Sequence, residues 1–169
     1  MSRLLLILAS PFLLAVLIGW AIPDVEPIDV SEGPMAEFSM LNYRWEKRVI
    51  LVFATTLSDP NYQHAANETR RWNEALDDRD VVVITAVRDG FSRAGDRLLD
   101  REDLAKLRSE FGVGPEEFAL ILVDLDGTEE ARWDHVPPMD EIFDRLDAMT
   151  RKREEEAGRT LGGDGSSID

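Results

Sequence analysis

The stretch Val49-Ile50-Leu51-Val52-Phe53-Ala54-Thr55-Thr56-Leu57-Ser58-Asp59-Pro60 falls into two parts. Its first six residues are apolar without a break, the pattern of a strand buried on both faces. The rest is short and polar. Asp59 followed by Pro60 reads as a helix start, because proline is tolerated in a first helical turn. Ala65, Thr69, Trp72 and Leu76 then recur at helical spacing, and Asp77-Asp78-Arg79-Asp80 ends that segment. Val81 to Val87 is a second unbroken run rich in β-branched residues. Strand, helix and strand at these lengths form a βαβ unit, so the two strands are expected to be parallel.

Beyond this unit, Arg88 to Asp100 is polar, contains Gly90 and Gly95, and reads as a loop. Leu104, Leu107 and Phe111 share one helical face, and Gly112 stops that helix. Phe118 to Val123 is a third apolar run. Asp126-Gly127 is a hairpin signal, and Thr128 to Trp133 returns as a more polar strand suited to an edge. Pro137-Pro138 opens a last helix with Met139, Ile142, Phe143, Leu146 and Met149 on one face. Its basic stretch Arg151-Lys152-Arg153 suits the negative pole of a helix. The expected fold class is α/β, in the order β-α-β-α-β-β-α, with a mixed four-stranded sheet. That is the element order of the thioredoxin fold.

The 169 residues suffice for one domain with one core. Thirty-four acidic against nineteen basic residues give a formal net charge of -15. Such a surface repels phosphate backbones and anionic headgroups, which argues against nucleic-acid binding and electrostatic membrane docking. The chain has no cysteine, so disulfides, thiol redox chemistry and thiolate metal sites are excluded. With two histidines, a metal site would have to lean on carboxylates.

The start of the chain has a different character. Met1-Ser2-Arg3 is short and basic, and Leu4 to Ile22 carries no charge. This is the pattern of an export signal, with Gly19-Trp20-Ala21 as the cleavage site. An uncleaved anchor is the alternative, because the run approaches the length that spans a bilayer. The expected layout is a signal peptide or anchor over residues 1–22 and a linker over 23–40. The domain follows over 41–156, with a flexible tail over 157–169. Either treatment of the first segment puts the domain outside the cytoplasm, periplasmic or secreted, or anchored facing the periplasm.

Within that layout the chain resembles the DUF4174 family of exported, mostly bacterial proteins. The residues carrying the match are Tyr43 to Arg48 leading into Val49 to Ala54, and Leu76-Asp77-Asp78-Arg79-Asp80 leading into Val81-Val82-Val83. Phe118 to Val123 with Asp126-Gly127, and Ile142 to Arg151, complete it. The resemblance implies a thioredoxin-like fold outside the cytoplasm. It also implies kinship with the DUDES group, thioredoxin-like repeats of extracellular-matrix proteins. It supplies no reaction. The thioredoxin fold places its redox cysteines in the loop after the first strand, here Thr55 to Asp59. The position of its cis-proline falls near Ala119.

Five groups of residues merit weighing. Thr55, Thr56 and Ser58 could supply a hydroxyl nucleophile with His64 as base; the structural reading makes Ser58 or Asp59 a helix cap and His64 an exposed helix residue. Asp124, Asp126, Asp134 and His135 could gather around a cation, but Asp124-Leu125-Asp126-Gly127 lacks the further ligands of a calcium loop. Arg79, between Asp78 and Asp80, could meet an anion or tie carboxylates and carbonyls at a strand entrance. Trp45, Trp72 and Trp133 could line a pocket; the structural reading makes Trp72 a core residue by its spacing, and Trp45 and Trp133 covers of sheet edges. Asn67-Glu68-Thr69 matches a glycosylation acceptor but lies within a helix. In each case the structural reading is preferred, so no catalytic residue, cofactor-binding residue, metal ligand or cofactor is assigned. The expected function is non-catalytic, the binding of a protein or small ligand. The alternative is an enzyme with hydroxyl or carboxylate chemistry in the loop after the first strand.

Overall fold

A computed structural model describes residues 38–162. The segment expected to direct export and nearly all of the expected linker lie outside the described residues, as does residue 163 onward. Six strands and four α-helices are described, in the order β1 (Arg48–Thr56), α1 (Pro60–Arg71), α2 (Asn73–Asp77), β2 (Val81–Asp89), β3 (Ser92–Ala94), β4 (Arg97–Leu99), α3 (Arg101–Glu110), β5 (Ala119–Val123), β6 (Glu129–Trp133) and α4 (Met139–Gly162). One sheet runs β4-β3-β2-β1-β5-β6. β1 and β2 are parallel, with Leu51 opposite Ile84, and every other pairing is antiparallel.

The alternation along β1 explains the layering. Ile50, Val52 and Ala54 pack on one side with Leu120, Leu122, Ala65 and Leu76, under Ile142 and Leu146 of α4. Val49, Leu51 and Phe53 pack on the other side with Ile84, Ala86 and Ile121, under Leu104 and Leu107 of α3. Side chains of a strand point alternately to its two faces, so a strand covered on both sides must be apolar at every position. This gives the mixed α/β sheet with helices on both faces that the sequence predicts.

The strand count differs from the expected four. The polar stretch after β2 is not a loop but a hairpin, β3 and β4, which extends the sheet past β2. Each strand has only three residues, Ser92-Arg93-Ala94 and Arg97-Leu98-Leu99, too few for a hydrophobic run to announce it. Gly95 makes the turn at φ 59°, where a side chain would be strained. Gly90, at the exit of β2, is needed for space: a Cβ there would sit 2.7 Å from the Leu57 side chain.

Three boundaries also differ. The helix expected to run from Asp59 to Leu76 breaks at Trp72, whose backbone (φ −103°, ψ 15°) closes α1. Phe38, expected in the linker, is buried against the α3 side of the core. α4 continues to Gly162, six residues past the expected domain end at 156.

Candidate functional site

The carboxyl ends of β1 and β2 lie side by side because the two strands are parallel. Ligands of open α/β sheets bind outside such strand ends. Three segments meet here: the β1–α1 loop, the end of β2, and residues 113–118 between α3 and β5.

Thr55 lies within β1, and the polar groups that follow it are spent on the turn. Asp59 caps α1, its Oδ1 accepting from the backbone N–H of Asn61 at 2.8 Å and of Tyr62 at 3.4 Å. The Thr56 and Ser58 hydroxyls share a hydrogen bond of 3.1 Å. The Gln63 side-chain amide donates to the Leu57 carbonyl. His64 is exposed on α1, and among the described residues no hydrogen bond joins it to these hydroxyls. Asp59 is therefore the cap, and Ser58 is not. Asp59→Ala is expected to cost about 0.5–2 kcal/mol in a denaturant melt, whereas Ser58→Ala shifts the midpoint little.

Beside this loop, a cleft of about 310 Å³ opens between the end of β2 and α3. Arg88, Arg101 and Arg108 reach it, with Asp89 at its rim. Leu104, Ala105 and Pro115 form its apolar wall. Arg101, Leu104, Ala105 and Arg108 are spaced i, i+3, i+4 and i+7, so one face of α3 presents both the charge and the wall. Arg108 is anchored by carbonyls. Its Nη2 donates to Ala54 O at 2.8 Å and Ala86 O at 3.4 Å, and its Nη1 to Gly114 O. Its guanidinium lies 5.4 Å from the centroid of the Phe53 ring. Its Nε is buried without a partner. Burial, and next the nearby Arg88 charge, hold its pKa below the ordinary arginine value. Arg88 donates to Asp89 Oδ2 at 2.6 Å and pairs with Glu116. The hydrogen bond from Arg88 holds the Asp89 carboxyl below its ordinary range, with a smaller contribution from the Arg101 charge.

The opposite end of the sheet is built by a different set. Arg48, at the start of β1, is 7% exposed and donates from Nε to Asp124 Oδ1 at 3.1 Å. Arg153 of α4 reaches Asp124 Oδ2 at 3.3 Å. Nearby, Thr128 donates its hydroxyl (2.6 Å) and its N–H (2.9 Å) to Asp126 Oδ1. Those two hydrogen bonds hold the Asp126 carboxyl below its ordinary range. A second cleft, of about 260 Å³, lies here between Tyr43, Arg44, Phe111 and Thr128.

The carboxylates weighed for a cation are thus not brought together. Asp124 turns to two arginines, Asp126 closes the hairpin, and Asp134 pairs with His135 Nδ1 at 2.8 Å. Arg79 ties elements together, but through a carboxylate distant in sequence. It holds Asp147 of α4 in a forked pair at 3.0 and 3.4 Å, donates to Ala75 O at 3.0 Å, and covers the Phe143 ring. Asp80 instead pairs with Lys47 at 2.8 Å.

The tryptophans differ from one another. Trp72, expected in the core, is 37% exposed. The helix break turns it outward, where it meets Phe143 edge-on and donates to Glu68. Trp133 is half-buried under α4, with its Nε1 donating to Glu141 at 3.0 Å. Trp45 stands 63% exposed on a left-handed backbone (φ 68°), with Arg44 and Arg153 each 5.6 Å from its ring centroid. Asn67 lies within α1, and the Thr69 hydroxyl donates to Ala65 O.

Sequence reasoning did not single out Arg88, Arg101 or Arg108. The signal available was Arg108 itself, a charge four residues after Leu104 on the apolar face of α3.

A family model described as a domain of unknown function, DUF4174, matches residues 39–155. No curated protein matches the chain in sequence. Among solved structures, the reduced 2-Cys peroxiredoxin of Plasmodium vivax is similar, with a TM-score of 0.52 at 13% identity, covering 68% of this chain and 84% of that one. Plasmodium yoelii thioredoxin peroxidase I aligns with a TM-score of 0.48 at 15% identity, covering 69% of this chain and 80% of that one. At such identities the first likeness speaks to fold alone, and it supports the thioredoxin-like assignment. The residue just before β5 is Phe118, and no peptide bond among the described residues is cis.

Proposed function

The chain belongs to the DUF4174 family, and from that premise we propose that it is an exported, non-catalytic domain that binds a protein or small ligand at the carboxyl ends of β1 and β2. The observation that carries this reading is the contrast between two neighbours on that face. The β1–α1 loop, which holds the reactive groups in thioredoxin-like redox enzymes, has no cysteine, its Thr56 and Ser58 hydroxyls bond to each other, and its Asp59 carboxylate caps α1. The adjoining cleft is open and lined by charged and apolar groups together, the composition of a ligand site. Export rests on the basic start, the apolar run and the small residues before Ile22.

The purified protein is expected to show no disulfide reduction or ester hydrolysis above a buffer blank. It is also expected to retain a specific partner or small molecule from the periplasm of its host, with a mature chain beginning near Ile22. Turnover that is lost in Ser58→Ala or His64→Ala, with melting unchanged, would overturn the non-catalytic reading. A Met1 chain recovered from the cytoplasm would overturn export.

A further inference from the structure

The cleft beside α3 has an electrostatic character at odds with the rest of the chain. The whole carries a formal charge of -15, yet three guanidiniums converge on about 310 Å³. Among the described residues, Arg101 and Arg108 make no ion pair with a carboxylate. Arg108 is held in place by three backbone carbonyls, neutral partners that fix its position without cancelling its charge. Withdrawal from water and the nearby Arg88 charge both disfavour the Arg108 guanidinium, and the Glu117 carboxylate, which forms no ion pair with it, offsets only part of that cost. An anion placed between the two guanidiniums offsets the rest. A planar guanidinium also presents paired donors that match the oxygens of a carboxylate or phosphate.

We propose that this cleft binds a small oxyanion, a carboxylate or phosphate group, between Arg88, Arg101 and Arg108. Any short apolar body attached to it lies against Leu104, Ala105 and Pro115. The inference rests on the reading of the chain as a binding domain and gives its ligand a chemistry. The three arginines have distinct parts. Arg108 is preorganised by its carbonyls over the Phe53 ring. Arg101 is exposed and makes no ion pair of its own, so its side chain is available to the ligand. Arg88 is occupied by Asp89 and Glu116, so the entering anion competes with these carboxylates for it. Asp89 is therefore an internal competitor, and its removal should tighten binding.

The test is calorimetric titration of the purified protein with inorganic phosphate and, separately, with butyrate, at low ionic strength. At least one is expected to bind with a dissociation constant on the order of 1 mM or below. Heat with phosphate alone identifies a phosphate site, and heat with butyrate alone a carboxylate with an apolar body. Arg101→Ala is expected to weaken binding by about tenfold, the value of one charge-assisted hydrogen bond, without changing the melting temperature. Asp89→Asn is expected to strengthen it. Arg108→Ala is less informative alone, because it frees three carbonyls and lowers stability. Absence of heat with both anions, or binding by Arg101→Ala equal to that of the unaltered protein, would overturn the proposal. The binding-domain reading stands or falls separately, on the retained periplasmic partner.

Discussion

Replacing Asp124 by alanine is expected to cost the fold about 3–5 kcal/mol, a large part of the roughly 5–15 kcal/mol that holds a typical domain together. Asp124 closes β5, and Arg48 opens β1 at 7% exposure. Their carboxylate–guanidinium pair joins residues 76 apart in sequence, and Arg153 brings α4 to the same carboxylate. Without Asp124, Arg48 keeps its charge in a site that water hardly reaches. Removing one partner of a buried pair is far costlier than removing both. The double variant Arg48→Met with Asp124→Ala is therefore expected to regain most of the loss. Chemical denaturation of the two variants checks this. A cost of about 1 kcal/mol or less for Asp124→Ala, the scale of an exposed pair, would show that water satisfies Arg48.

Phe53→Ala is expected to have a comparable effect for a different reason. Phe53 is fully buried at the centre of β1, beside Phe111 at 6.4 Å. Truncation leaves a cavity that the sheet cannot collapse to fill, at about 3–5 kcal/mol. It also removes the ring beneath the Arg108 guanidinium. The variant should therefore lose anion affinity as well as stability. Leu120→Ala provides the control, since Leu120 is equally buried but faces the α4 side of the sheet. It should be destabilised by about 2–5 kcal/mol while keeping anion affinity wherever it remains folded. Equal affinity for Phe53→Ala and the unaltered protein would separate the cleft from the core beneath it.

What could be read from the sequence follows from where burial leaves a mark. β1, β2 and β5 are covered on both faces, so each appears as an unbroken apolar run. α4 shows its inward stripe of Met139, Ile142, Leu146 and Met149 for the same reason. β3 and β4 left no such mark, because β3 buries only Ser92 and Ala94, both small. The break at Trp72 was hidden because residues on either side of it keep a helical spacing. The Arg48–Asp124 pair has no local signature, since neither residue's neighbours encode the other. The cleft was half legible: the face of α3 could be read, but that Arg88 arrives beside it depends on where α3 packs across β2. By contrast, the start of α1 could be read to within one residue, Ser58 or Asp59, because helix capping is decided by a few adjacent residues.

The β3–β4 hairpin changes what the sheet offers to other chains. β2 carries the run Val81-Val82-Val83-Ile84-Thr85-Ala86-Val87, of the composition that stacks into amyloid when its edge is bare. In a four-stranded sheet, that run would be the outermost strand. Here β3 pairs with Ile84 and Thr85, and the free edge passes to three-residue β4 with Arg97 in it. At the far side, β6 ends the sheet with Glu129, Glu130 and Arg132 and a register shift where it meets β5. Short, charged or irregular margins make poor templates for strand addition. The hairpin thus covers the middle of a β-branched strand in the folded chain, where an open margin would invite a second copy.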